Sequence, residues 1–235
     1  MPPLRRPPPR DLAELRLRAA ALSGRSLGEL ARALGVSLAG PPQRTKGLVG
    51  QLVERALGAT AGNAAEPDFP ALGVELKTVP VAPDGTPRGS TFVCTADLEG
   101  ASRASWATST VRRRLAHVLF VPVIVEGDEL AARRIGCPRF FRPTDEQEAL
   151  LRADFDDLIG AVGVGEADTL TARAGRCLQL RPKAQNAAVQ TLAPDDDGAF
   201  ILTGPRGFYL RRTFIAAVLA DAPTPSTGLV GKATW

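Results

Sequence analysis

At 235 residues, with 44% hydrophobic and 23% charged side chains, the chain has the size of one domain, or of one domain split into two lobes, and enough apolar residues for a substantial core. Its net charge of +4 favours an anionic partner, three scattered cysteines in no CxxC pattern suggest neither a zinc site nor a disulfide framework, and a single histidine, His117, leaves no multi-histidine metal site and no convincing Ser-His-Asp triad. Any metal must therefore be held by oxygen ligands, which selects hard ions such as Mg²⁺, and the cysteine usage is most simply that of a cytoplasmic protein with no membrane span.

The N-terminal MPPLRRPPPR lacks the apolar stretch of a signal peptide and reads as a disordered tail over residues 1–10. Helical apolar spacing follows over 11–22, then a second helix opened by a Ser26/Glu29 capping box and closed at Gly35. A third helix is predicted from Lys46 to Leu57, with Leu48, Val49, Leu52, Val53 and Leu57 on its apolar face and Glu54 opposite them, above Gly50 and Gly47. VELKTVP and STFVCTA alternate like strands and are predicted to form an antiparallel hairpin about Asp84-Gly85.

WATSTVRRRLA reads as a helix carrying Arg112, Arg113 and Arg114, and HVLFVPVIV as a strand buried on both faces. RRIGCPRFF is a further strand, and TDEQEALLRADFDDLIGAV a long helix opened by Thr144 and Gln147, with its acids on the outer side. LTARAGRCLQLRPKA reads as a hairpin. AFILT and GFYLRR follow as strands, then a helix near 212–220 and a flexible tail from residue 222.

Chemistry concentrates in DFPALGVELKT, residues 68 to 78. In a strand, Glu75 and Lys77 share one face while Val74, Leu76 and Val79 occupy or flank the other. An acid, then an acid and a lysine one residue apart, is what metal-assisted phosphodiester hydrolysis requires. Asp68 and Glu75 would hold Mg²⁺, Lys77 would orient the attacking hydroxide, and Glu54 would complete the cluster. On the short E-x-K pattern alone, a solvated strand face with alternating charges is the better account. Of the twenty-nine basic residues only Lys46, Lys77, Lys183 and Lys232 are lysines, which fits positions where a compact ammonium serves and a guanidinium does not, though drift accounts for so few residues and the bias alone decides nothing.

The stretches KGLVGQLVE, DFPALGVELKT, TFVC, LQLRPKAQNA and PRGFYL, at similar intervals, resemble the MutH family of strand-nicking mismatch-repair endonucleases, members of the PD-(D/E)xK restriction-endonuclease-like nucleases. The resemblance implies an α/β fold, a mixed sheet flanked by helices, with two lobes around a DNA cleft: a catalytic lobe over 11–107 and a DNA-recognition lobe over 108–221. It places the metal-binding acids at Asp68 and Glu75, the catalytic lysine at Lys77 and the helix carboxylate at Glu54. DNA contacts fall on Lys46, Gly47, Arg181 and Lys183, and Tyr209 stands at the position linked to sensing adenine methylation. Arg114 replaces a family lysine near the active site and keeps its charge toward DNA; Gly89 replaces an acid.

What the resemblance implies in function is Mg²⁺-dependent nicking, with Mn²⁺ as a substitute, of the unmethylated strand of hemimethylated GATC, 5′ to the G. The enzyme would be a monomer activated by MutL after MutS finds a mismatch. A GATC-specific restriction enzyme cutting both strands and a DNA-binding module without turnover are the alternatives. The single catalytic motif and the intact acids and lysine weigh against them.

Overall fold

The computed structural model describes residues 6–39, 47–61, 66–170, 174–183 and 189–220. Lys46, Lys232 and the expected tail from residue 222 lie outside them. Helices α1 (Leu12–Ala20), α2 (Leu27–Ala33) and α3 (Leu48–Leu57) lead to strands β1 (Glu75–Val81) and β2 (Thr91–Thr95). Then come α4 (Thr110–Leu115), β3 (Val118–Ile124), the short β4 (Arg134–Ile135) and β5 (Arg139–Phe141), and the long helix α5 (Asp145–Gly163). Strands β6 (Leu178–Pro182), β7 (Thr191–Pro194), β8 (Phe200–Thr203) and β9 (Arg206–Leu210) precede helix α6 (Arg212–Ala220).

Strand β3 explains the layering. It pairs in parallel with β1 on one edge and antiparallel with β4 and β5 on the other. Its residues Leu119, Val121 and Val123 pack into a core with Leu15, Leu27, Leu30 and Leu52 of the N-terminal helices. Val118 and Phe120 enter a second core with Leu151, Phe155 and Leu158 of α5 and with Val93, Leu178 and Phe208 of a second, antiparallel sheet ordered β2-β9-β6. Burial on both faces is why this strand reads as an unbroken apolar run. The mixed sheet flanked by helices is the expected restriction-endonuclease-like architecture.

Strand β1 obeys the same geometry, with Leu76 in the first core and Val79 and Val81 in the second. Residues two apart share a face, so Val79 lies on the side of Glu75 and Lys77, not opposite them as the sequence reading had it. The two charges therefore occupy one end of an apolar face that looks toward the second sheet.

Among the described residues, neither of two predicted hairpins is formed. The chain does fold back at Asp84-Gly85, where Gly85 takes φ +86° and Ala82 N–H donates to the Thr86 carbonyl at 2.8 Å. It then leaves β1, and β2 pairs instead with β9, Phe92 opposite Tyr209. There Val93 is buried in the second core with Phe208 and Leu210 of β9. Likewise β6 pairs with β9, Arg181 opposite Gly207, rather than with its sequence neighbours. RRIGCPRFF divides into β4 and β5 because Pro122 of β3 has no N–H to offer between them; its carbonyl accepts from Gly136 instead. WATSTVRRRLA divides too, into a 3₁₀ turn over Trp106–Thr108 and α4, whose N-cap Ser109 accepts from Arg112 N–H.

Pairing of β1 with β3 and of β2 with β9 crosses the expected lobe boundary at residues 107/108 in both directions. Residues 6–10, assigned from sequence to the tail, run against α1 and α3. The Pro7 carbonyl accepts from Arg18 Nη1 at 2.7 Å, and a Cβ on Gly58 would sit 2.4 Å from it, so glycine is what admits this contact.

Helix α5 begins with the predicted Thr144/Gln147 capping box, yet not all its acids face out. Asp154 is only 4% exposed, and its carboxylate accepts the N–H groups of Arg176, Cys177 and Leu178 at 2.5–2.9 Å, fixing the entry to β6. Asp154→Ala strands those amides and is expected to lower unfolding stability by about 3 kcal/mol, with a smaller loss for Asp154→Asn, which keeps an acceptor. Urea denaturation of the three proteins measures both.

Candidate active site

The segment before β1 is shaped to return Asp68 to the strand's first residues. Phe69 N–H donates to the Val74 carbonyl at 2.9 Å, a 3₁₀ turn spans Pro70–Leu72, and Gly73 closes it at φ +61°. Phe69 and Val74 are both buried, so packing holds the turn shut. Asp68 lies just outside it. Its Oδ2 accepts Leu76 N–H at 2.7 Å, which sets the carboxylate beside Glu75.

Glu75 opens β1, its N–H bonded to the His117 carbonyl at 2.9 Å, and the residue is 1% exposed. A carboxylate this deep requires opposite charge. Lys77 Nζ stands 2.6 Å from Oε1, and Arg114 Nη1, delivered by α4, stands 2.5 Å from Oε2. Lys77 also reaches the Val93 carbonyl of β2 at 3.4 Å. Burial foremost, and then the like charge of Glu75, push the Asp68 carboxyl above the usual carboxylate value, against the pull of the Leu76 amide, Lys77 and Arg114. Burial likewise pushes the nearby Cys94 thiol up to about 11, so it is neutral and no nucleophile.

Asp68, Glu75 and Lys77 thus come together as predicted. Arg114, expected to face DNA, is turned onto a carboxylate of the cluster. Glu54 is half-buried on α3, its Oε1 3.7 Å from where a Gly50 Cβ would sit, with Thr78 of β1 close by. Among the described residues no three acidic, histidine or cysteine side chains converge as a metal-holding group, while Asp68 and Glu75 adjoin as a pair. The two that do adjoin suit a hard cation. They offer only oxygen donors, and the mutual repulsion that raises Asp68 is what a bound divalent ion relieves. Gly47 is the N-cap of α3 at φ +82°.

The second sheet carries a separate face of cations over aromatic rings. Phe92 and Tyr209, paired across β2 and β9, meet edge to face with centroids 5.3 Å apart. The Arg181 guanidinium lies 5.4 Å from the Tyr209 ring and donates to Ser90 Oγ at 2.7 Å; Lys183 Nζ lies 4.8 Å from the Phe92 ring and donates to Thr95 Oγ1. A Cβ on Gly207 would come within 2.8 Å of Phe92 Cε2, so glycine lets that ring lie flat on the strand. Sequence reasoning found Arg181, Lys183 and Tyr209 but missed Phe92, Ser90 and Thr95. The signal available was TFVCT itself, where Phe92 is only partly buried between the buried Thr91 and Val93.

A family model described as DNA mismatch repair enzyme MutH matches residues 57–154. Over 216 residues the chain is 48% identical to the DNA mismatch repair protein MutH of Yersinia enterocolitica, covering 91% of this chain and 94% of that one. It is 48% identical over 217 residues to the protein of that name from Serratia proteamaculans, with coverage of 91% and 94%. Against that from Klebsiella pneumoniae strain 342 the identity is 47% over 216 residues, with coverage of 91% and 93%.

The raised pKa of Asp68 has a definite sign in stability. A group that binds its proton more tightly when folded contributes stability that is complete below its ordinary value of 3.8 and lost as pH rises through the folded value. Asp68→Asn should therefore melt above the parent at neutral pH without metal, and the gap should close as the medium is acidified. Ca²⁺ should raise the parent's melting temperature more than the variant's. Thermal melts across pH, with and without Ca²⁺, check both halves.

Proposed function

The chain belongs to the MutH family of DNA mismatch repair enzymes, and from that membership we propose that it is a Mg²⁺-dependent endonuclease nicking the unmethylated strand of hemimethylated GATC, 5′ to the G, on activation by MutL. The observation that carries this reading is the buried Glu75 carboxylate, with Asp68 beside it and the Lys77 ammonium two residues on along one strand face. In this reading Asp68 and Glu75 hold the metal, which when bound polarises the scissile phosphate and lowers the pKa of a coordinated water. Lys77 points its ammonium at the attacking oxygen, where a compact point charge fits and a guanidinium fork does not. Arg114 shares the Glu75 carboxylate and adds positive charge beside the phosphate. Glu54, at the edge of the cluster, positions water or a second ion.

Recognition is assigned to the other sheet. Arg181 and Lys183 read base edges in the major groove, Tyr209 and Phe92 sense the adenine methyl group, and Lys46 and Gly47 grip the backbone. One catalytic cluster in a monomer cuts one strand, and the mismatch signal reaches it from MutS through MutL.

The deciding experiment cleaves one GATC duplex in unmethylated, hemimethylated and fully methylated forms, with and without MutL. A single nick in the unmethylated strand, stimulated by MutL, is expected; double-strand cuts by the isolated chain overturn the proposal. In single-turnover assays on the hemimethylated duplex, Lys77→Arg should slow nicking about 10²-fold or more, since the fork displaces either water or substrate. Arg114→Lys should retain most of the rate, because an ammonium can still meet Glu75.

Tyr209→Ala should shift the ratio of cleavage between hemimethylated and fully methylated duplexes while the Mg²⁺ requirement stays as in the parent. An unchanged ratio in side-by-side time courses removes Tyr209 from methyl sensing.

A further inference from the structure

Among the described residues seven large hydrophobic side chains stand exposed, and five of them, Val189, Leu192, Phe200, Ile201 and Leu202, lie between residues 189 and 202. All but Val189, which precedes it, belong to the β7–β8 ribbon, whose strands among the described residues pair only with each other. Leu192 pairs with Leu202 and Pro194 with Phe200, so these four share one face of the ribbon. Leu202 is 63% and Phe200 55% exposed on it.

The ribbon is anchored. Ala193 is buried in the second core, and Gly165, at φ +80°, presses so close to the backbone of Asp195 that a Cβ there would lie 2.3 Å away. Its turn is fixed as well. Asp195 Oδ1 accepts the N–H groups of Asp197 at 3.2 Å and Ala199 at 2.7 Å, leaving Asp196 and Asp197 exposed at the tip. A held, pre-shaped apolar ridge of this kind marks a contact surface.

Position and charge together choose the occupant. The ribbon is inserted between Lys183, at the end of β6, and β9, immediately beside the cationic reading face. Two adjacent exposed carboxylates at its tip repel phosphates, so the apolar face is not built to enter a DNA groove. They attract a basic protein rim. We infer that the β7–β8 ribbon is a docking ridge for a protein partner offering an apolar groove edged with lysine or arginine side chains, and that this partner is the activator of nicking. The inference rests on the functional reading above and adds the surface through which activation arrives.

Two variants test it: Leu192→Ser with Phe200→Ser and Leu202→Ser, and separately Asp196→Lys with Asp197→Lys. The probe is purified MutL, with a hemimethylated GATC duplex. Both variants should keep basal Mg²⁺-dependent nicking and DNA affinity within about twofold of the parent, while MutL stimulation falls about tenfold or more, as when central anchors of an interface are removed. Undiminished stimulation in both variants overturns the inference. So does a parallel loss of DNA affinity, which would make the ribbon a DNA contact, or a parent dimer in sedimentation that the serine variant abolishes. If the serine variant fails to fold, the lysine pair on the exposed tip carries the test alone. Absence of MutL stimulation in the parent is a different result, and it defeats the functional reading itself.

Discussion

A carboxylate that is 1% exposed has to find its counter-charge inside the protein, and the arrangement around Glu75 follows from that demand. Lys77 meets it from the same strand, where the two-residue period puts both side chains on one face. Arg114 meets it from α4, because the parallel register that sets Glu75 against Val118 brings the end of that helix alongside. Asp68 is then the unbalanced member of the group. Two carboxylates, one lysine and one arginine sum to no net charge, yet burial first, and then the charge of Glu75, raise the Asp68 carboxyl above its ordinary value.

Strand β2 ties the two working regions together. The carbonyl of Val93 receives Lys77, and the adjacent Phe92 turns to the opposite face to meet Tyr209 and Lys183. The Lys77 ammonium and the Phe92 ring are thus held by neighbouring residues of one strand, so a displacement of β2 would be felt at both.

Local features were legible in the sequence. The Ser26/Glu29 and Thr144/Gln147 capping boxes form as their spacing dictates, and the unbroken apolar run of β3 reports burial on both faces. Asp68, Glu75 and Lys77 were legible because strand periodicity and one tight turn suffice to join them. What failed was everything decided by distant pairing. The E-x-K face continues into Val79 and Val81 because the second sheet covers it, and no local pattern announces that cover. VRRRL looks like a wet helix face; only the fold reveals that its third arginine is turned onto a buried acid. Asp154 reads as one more surface acid on an acidic helix, and its true partners are amides more than twenty residues away.

The crossed pairing also has a meaning for how the molecule comes into being. β1 must wait for β3 to be made, and β2 has no neighbour in its sheet until β9, with Thr91 opposite Leu210. Contacts of such sequence separation form slowly, and during synthesis the N-terminal part emerges first. The wall that encloses Glu75 and Lys77 is therefore among the last things to be completed, after almost the whole chain has left the ribosome. A nascent or truncated chain holds the acids and the lysine but not the enclosure that positions them, so the power to cut a genome arrives only with the finished fold.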